Sequence, residues 1–443
     1  MMNKISKSIF IKNLIFAVAT TILATSMFAQ NTDTIEYFSN KTLRYEDHTY
    51  VKNIRTIQLS PEPNALTPPL ILLNSEEKLL LNFDDLDGDY KTYNYTITHC
   101  NAKWEPSNIL VSEFLDGFAE NTISDYSFSR NTLQKYTHYT AEFPNQNLKL
   151  TKSGNYLLIV YTDNNIENIC FSKRFMVFEN KVDVNVSIHA ATIVENRNFK
   201  QEVDFKIIYS PGEITNPYQE IYPVILQNFR WDNAIFGLSP QYVKDLELIY
   251  DYDDQNVFGG SSEFRWFDTR SLRYQSDRIN KIEKGIDSIY NVWLLPDEKR
   301  TYKRYVGSND INGKYLIKTN DGGSDAVDAD YVWIHFFLPY DPATTEGTMY
   351  VFGAFSNWQS HENYRMKYNA LRKGYEASIL LKQGYYNYEF VLLRTSTKEL
   401  DDIFTEGMHQ ETENDYFILV YFRRQGSWVD ELVGFKRTNS RPQ

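Results

Sequence analysis

Cysteine is nearly absent from this 443-residue chain, which has only Cys100 and Cys170, so no disulfide framework or multi-cysteine metal site can organise it. Glycine and proline are scarce, at 19 and 14 residues, which excludes collagen-like and low-complexity architectures. Positive charge is in deficit: 46 Lys and Arg face 58 Asp and Glu, a net charge of −12, so a general basic surface for nucleic acid or anionic lipid is excluded. Histidine is sparse too, with seven scattered along the chain. Apolar runs are short. The longest opens the sequence, where Lys4, Lys7 and Lys12 precede Leu14-Ile-Phe-Ala-Val-Ala-Thr-Thr-Ile-Leu23 and then Ala24-Thr-Ser-Met-Phe-Ala29. That order of basic start, apolar run and small-residue site predicts a secretory signal over residues 1–29, the run being shorter than the roughly 20 residues of a spanning helix. The mature chain is therefore expected outside the cytoplasm. Two thiols there can pair, so Cys100 and Cys170 read either as a disulfide or as two buried small hydrophobes.

What the chain has is aromatics, with 33 Tyr, 28 Phe and 7 Trp, arranged at period two. Val182, Val184, Val186 and Ile188 alternate with Lys181, Asp183, Asn185 and Ser187, which gives a strand one apolar and one polar face. Gly154-Asn-Tyr-Leu-Leu-Ile-Val-Tyr161 and Tyr331-Val-Trp-Ile-His-Phe-Phe-Leu338 are denser strand signals. Turn dipeptides such as Ser153-Gly154, Asn312-Gly313 and Gln383-Gly384 separate such runs. The best helical spacing, Ile279, Ile282, Ile286 and Ile289, contains Gly285 and fits strands nearly as well.

The expected class is all-β, with tandem β-sandwiches: an N-terminal domain over 30–180, a middle β domain over 181–318, and a C-terminal domain over 326–436 beyond the Gly/Asp-rich stretch 319–325. A membrane barrel fits less well, because its strands need about 9–11 residues each. Local catalytic signatures are missing: no Gly-x-Ser-x-Gly, no phosphate-cradling Gly-rich loop, no His-Glu-x-x-His, no Cys-x-x-Cys. The acidic stretches Asp84–Asp89 and Asp251–Asn256 lack the glycine and glutamate of a calcium loop, and Asp310-Ile-Asn312-Gly313 reads as a hairpin turn. No cofactor or metal is expected. Tyr136-Thr-His-Tyr139 and Asn228-Phe-Arg-Trp-Asp-Asn233 suit sandwich corners and interfaces equally.

Several segments together resemble the plug-protein family of the type IX secretion system. They are His99-Cys-Asn-Ala-Lys-Trp104, Tyr136-Thr-His-Tyr139, Ser153-Gly-Asn-Tyr156, Gln227-Asn-Phe-Arg-Trp-Asp-Asn233, Glu263-Phe-Arg265, Asp330-Tyr331-Val332 and Lys382-Gln-Gly-Tyr-Tyr-Asn-Tyr388. The resemblance implies a non-enzymatic periplasmic protein, peripheral to the outer membrane. It would associate with the large outer-membrane β-barrel translocon and close it while no cargo moves. Within the last domain, Tyr350-Val-Phe-Gly-Ala-Phe-Ser-Asn-Trp358 and Gly384-Tyr-Tyr-Asn-Tyr388 also resemble the early-set immunoglobulin-like modules that bind glycogen or starch. By that resemblance Trp358 and Lys382 are the candidate sugar-binding residues, and a periplasmic glycan-binding protein is the alternative function. Tyr375 and Arg394-Thr-Ser-Thr397 depart from that pattern.

Overall fold

The computed structural model describes residues 42–441 except 63 and 213, so the expected signal at 1–29 lies outside the described residues. From Tyr45 onward they cluster as one unit. Within it the period-two segments become strands, and among the described residues their apolar faces meet in three large cores, with a small fourth cluster around Tyr350, Phe352 and Val391. No described helix is long and apolar enough to cross a membrane.

In the first sandwich, one sheet runs in the order His48–Thr49, Ile169–Phe178, Gly154–Thr162, Tyr93–Cys100, Glu120–Ile123. The other runs Ile54–Pro61, Leu79–Asp85, Thr137–Phe143, Asp125–Phe128. Leu79, Leu81 and Phe83 alternate inward toward Tyr95, Ile97, Tyr156 and Phe175, as a half-buried strand requires. Gly154–Thr162 is buried on both faces, because its outer face is covered by the C-terminal strand Glu431–Asn439.

The second sandwich packs Asp183–Ala190, Lys200–Ile208 and Glu247–Tyr250 against a sheet of Ile221–Gln227, Asp415–Phe422 and Glu431–Asn439. The third places Arg265–Asp268, Tyr315–Ile317 and Gly347–Phe352 on Gly384–Arg394. Its facing sheet is Ile279–Lys284, Tyr290–Leu294, Tyr331–Pro339, Gly374–Lys382, Lys367–Asn369. The chain thus leaves the second sandwich after residue 259, builds the third, and returns at 415.

Strand pairing therefore does not follow the expected division into 181–318 and 326–436. Strands from both segments share sheets, and 319–325 is a loop inside the third sandwich. There the Asp325 carboxylate accepts the Thr319 N–H at 2.8 Å and the Asp321 carboxylate accepts the Leu272 N–H at 2.7 Å. Acidic and glycine-rich composition marks a tight turn held by carboxylates as readily as a linker. The helical spacing over Arg278–Tyr290 is likewise a hairpin. Gly285 sits in its turn, donating to the Ile289 carbonyl at 2.7 Å, and Ile286 is fully exposed at the tip.

Candidate functional site

The segments that carry the family resemblance converge on the joints between the three sandwiches. Asp84 lies opposite His138 in the first sandwich, and Tyr331 opposite Lys382 in the third. His138 Nδ1 bonds Asp84 Oδ1 at 2.7 Å, while Tyr331 Oη and Lys382 Nζ both donate to Asp84 Oδ2 at 2.7 Å. Lys382 Nζ also donates to the Ala326 carbonyl at 2.7 Å and lies 4.2 Å over the Tyr136 ring. Tyr136 in turn donates its hydroxyl to the Ala329 carbonyl at 2.8 Å. Burial pushes Asp84 up, but Lys382 and His138 outweigh it and hold the carboxyl below the usual carboxylate range. Burial dominates at Lys382 and lowers it. This is a buried, fully bonded ion pair spanning two domains.

The other two joints use the same chemistry. Between the first and second sandwiches, the Ala102 N–H donates to Asp430 at 2.9 Å and Trp104 packs edge-on against Trp231, with Arg174 4.5 Å over the Trp104 ring. Between the second and third, Arg230 pairs with Asp232 at 2.7 Å and Glu389 at 3.1 Å, and covers Trp358 at 4.7 Å. Inside the third, Arg265 bridges Asp297 and Glu406 at 3.0 Å each, and Tyr388 Oη donates to Asp297 at 2.7 Å. The residues that suited corners and interfaces equally are internal interface residues.

Where the three bodies meet there is a cleft of about 420 Å³, lined by Asp47, Lys173, Arg174, Trp231, Tyr315 and Trp358 among others. Its walls hold bulky residues in left-handed backbone conformations, with φ of 59° at Phe229 and 57° at Trp358. Such conformations cost of order 1–3 kcal/mol each and persist only where the surroundings over-determine them. Its cations are already engaged: Lys173 donates to Asp47 at 2.6 Å and to Asn357 at 3.2 Å, and Arg174 to the Tyr45 carbonyl at 2.9 Å. The cleft is built as a rigid seam.

The structure does not bring the sequence-derived site residues together. Cys100 and Cys170 are buried free thiols. They flank opposite edges of the strand Gly154–Thr162, Cys100 beside Asn155 and Cys170 at the bulge beside Val160. Five residues of strand, about 17 Å, separate those positions, whereas a disulfide needs Cα atoms within about 7 Å. The pairing read as one alternative is therefore corrected to the other, two buried small hydrophobes. Lys382 is 1% exposed and committed to Asp84, so it presents nothing to a sugar. Trp358 lies half-buried between Phe264, Phe352 and Arg230, remote in function from Lys382.

Sequence reasoning missed the exposed edge of the first sandwich. Asp125–Phe128 is the outer strand of its sheet and is exposed throughout. Tyr90 packs tilted against Tyr126 at 4.7 Å and Tyr126 meets Phe128 edge-on at 5.7 Å, the three being 52%, 43% and 51% exposed. An unpaired strand edge carrying an aromatic row is an association surface. The alternation of Tyr126 and Phe128 was the available signal.

These features define a class: an all-β protein of three sandwiches, cross-braced by buried ion pairs and hydrogen bonds and carrying an exposed aromatic strand edge. The sequence model of the family described as "Type 9 secretion system plug protein 1st domain" matches residues 54–179, the first sandwich. A crystal structure of a hypothetical protein from Parabacteroides merdae ATCC 43184 is similar over 90% of this chain and 100% of its own, with 31% identity and a TM-score of 0.86. Residues 54–179, the first sandwich, thus belong to the type 9 secretion system plug-protein family. A structure of Pseudomonas fluorescens alkylpurine DNA glycosylase AlkC bound to DNA containing an abasic site analog aligns over 28% of this chain and 30% of its own, at 13% identity and a TM-score of 0.17, which is no shared fold. No curated protein matches the chain.

Proposed function

We propose that this chain is a periplasmic, non-catalytic component of the type 9 secretion system that binds the periplasmic opening of the outer-membrane β-barrel translocon and seals it. The family match over residues 54–179 carries this reading. Two physical features support it. A seal must resist deformation, and the three sandwiches are locked to one another by buried charge pairs at two joints and by a buried backbone-to-carboxylate hydrogen bond at the third. A seal also needs a surface for its frame, and the matched domain carries the exposed row of Tyr90, Tyr126 and Phe128, aromatic residues being those that anchor interfaces. On this reading residues 1–29 direct export and the protein lies peripheral to the outer membrane.

The test is affinity isolation of the tagged full chain from detergent-solubilised envelopes, beside the Tyr126→Ser/Phe128→Ser double variant. Recovery of a giant outer-membrane barrel with the native chain, and its loss with a variant of unchanged circular dichroism, is the expected result. A native chain that reproducibly returns without the barrel overturns the proposal.

A further inference from the structure

Among the described residues three groups of His, Asp and Glu side chains approach closely enough to share an ion, and in two of them a lysine or histidine already lies against the carboxylates. Among Asp85, Asp87 and Asp89 sits Lys91, 2.8 Å from Asp85, in contact with Asp87 and 3.7 Å from Asp89. Beside Glu202 and Asp204 sits His189, 2.7 Å from Asp204. The third group, Glu263, Asp310 and Glu413, forms no salt bridge with any lysine or arginine among the described residues. The nearest cations are otherwise occupied. Lys314 and Arg437 face Asp415 at 3.7 and 2.7 Å, and Arg441 bonds Tyr305 Oη at 2.5 Å and the Glu411 carbonyl.

The cluster also has acceptors with nothing to accept. Glu263 is 2% exposed, and although its Oε1 takes the Tyr305 hydroxyl, its buried Oε2 has no partner. Asn312 is 6% exposed and stands outside the trio. Its carboxamide reaches into the cluster, Nδ2 lying 3.3 Å from Glu413 Oε1, and its buried Oδ1 is unpartnered as well. A buried polar atom without a partner is costly, and of the atoms so placed in this protein Glu263 Oε2 and Asn312 Oδ1 are the pair set beside three carboxylates, where a cation would satisfy both. A cavity of about 630 Å³ reaches Asp310, Asn312 and Glu413 from solvent, its lining shared with Lys314, Arg437 and Arg441.

We infer that Glu263, Asp310, Glu413 and Asn312 form a binding site for Ca²⁺. The donors are all hard oxygens, which selects Ca²⁺, Mg²⁺ or Mn²⁺ over softer metals. One ligand atom from each carboxylate lies within 4.8 Å of the others. That spacing admits either ion, and Ca²⁺, which takes six to eight oxygens in flexible geometry, suits an irregular set of carboxylates and a carboxamide better than Mg²⁺, which demands a near-ideal octahedron. Arg265–Asp268, whose approach carries Glu263, the turn before Tyr315–Ile317, and the entry to Asp415–Phe422 all supply ligands. The ion therefore fastens the third sandwich to the returning strand of the second. This site stands apart from the secretion reading and survives or fails independently of it.

The test uses the full chain stripped with chelator, titrated calorimetrically with CaCl₂ and separately with MgCl₂, with terbium luminescence sensitised through Tyr305 as a second readout. One saturable Ca²⁺ site with Kd of about 0.1–1 mM, the range of extracellular modules, and a rise in Tm with Ca²⁺ are expected, with Mg²⁺ at least tenfold weaker. Glu263→Gln should weaken Ca²⁺ at least tenfold, Asn312→Asp should tighten it about tenfold by adding a fourth carboxylate, and Asp87→Asn should change nothing. Absence of saturable heat and of any Tm change at 5 mM CaCl₂ (about five times the weakest expected Kd) overturns the inference, as does an affinity that Glu263→Gln and Asn312→Asp both leave unaltered.

Discussion

The joint between the first and third sandwiches can be tested by removing one charge from it. Lys382→Met keeps the volume of the lysine stem but takes the ammonium from Asp84, which is 0% exposed and would retain only His138 and the Tyr331 hydroxyl. Breaking a buried pair from one side costs about 3–5 kcal/mol, because the remaining charge stays desolvated. Asp84→Asn should cost a similar amount by stranding Lys382. The double variant leaves neither charge, so it should be less destabilised than the sum by about 2 kcal/mol, a coupling typical of contacting residues. Urea unfolding followed by tryptophan fluorescence and near-ultraviolet circular dichroism measures all three. Hydrogen exchange localises the effect: Lys382→Met should deprotect Leu79–Asp85 and Thr137–Phe143 in the first sandwich as well as Gly374–Lys382 in its own. The pH dependence has a definite sign. Asp84 is held below its ordinary value in the folded protein, so its contribution is complete above the unfolded value of about 3.9 and is lost as pH falls through the lower folded value. Lys382→Met should flatten that acid limb. Additive single and double variants, or exchange confined to the third sandwich, would refute the joint.

Both cysteine thiols are pushed up to about 12 by burial, so the native protein should leave a thiol reagent unreacted and consume two equivalents once unfolded, and an intact mass 2 Da below the reduced chain would contradict this. Gly313 has φ of +75°, and a Cβ there would sit 2.2 Å from Trp358 Cη2 and 2.9 Å from Phe264 Cε1; Gly313→Ala should cost about 2–3 kcal/mol, the upper part of the overpacking range, and an unchanged urea midpoint would show that the Trp358 wall is pliable. Burial lowers His99 to about 4 in the folded state, so the unfolded chain binds the proton first and stability falls as pH drops from about 6.5 toward 4. Its full contribution is about 3 kcal/mol at the acid end, and a His99→Gln variant should show a correspondingly smaller loss between pH 7 and pH 4.

Much of the fold was legible because strand alternation is a local property. Val184 and Ile188 on one face and Asp183 and Ser187 on the other describe a half-buried strand wherever it docks. Partner choice is not local. Asp415–Phe422 is buried on both faces, so its pattern names no neighbour, and nothing in it told that it pairs with Ile221–Gln227 across nearly two hundred residues of chain. Composition misled at 319–325 because Asp and Gly serve tight turns and linkers alike. The cation cluster was invisible for the same reason as the strand order: a calcium loop is recognisable when one segment supplies most ligands, and here Glu263, Asp310 and Glu413 come from three. The sugar-module resemblance shows where a pattern stops transferring. It pointed to a β-sandwich, as the third unit is, yet sugar binding needs Trp358 and Lys382 open to a ligand, whereas here Arg230 covers the tryptophan and Asp84 takes the lysine. A surface that binds a ligand in an isolated domain is the same surface that can bind a neighbouring domain, since both need aromatic faces and a placed charge. Once two sandwiches have used it on each other, those residues specify the angle between domains, and a change at either should alter the geometry of the whole body before it alters the fold of any one part.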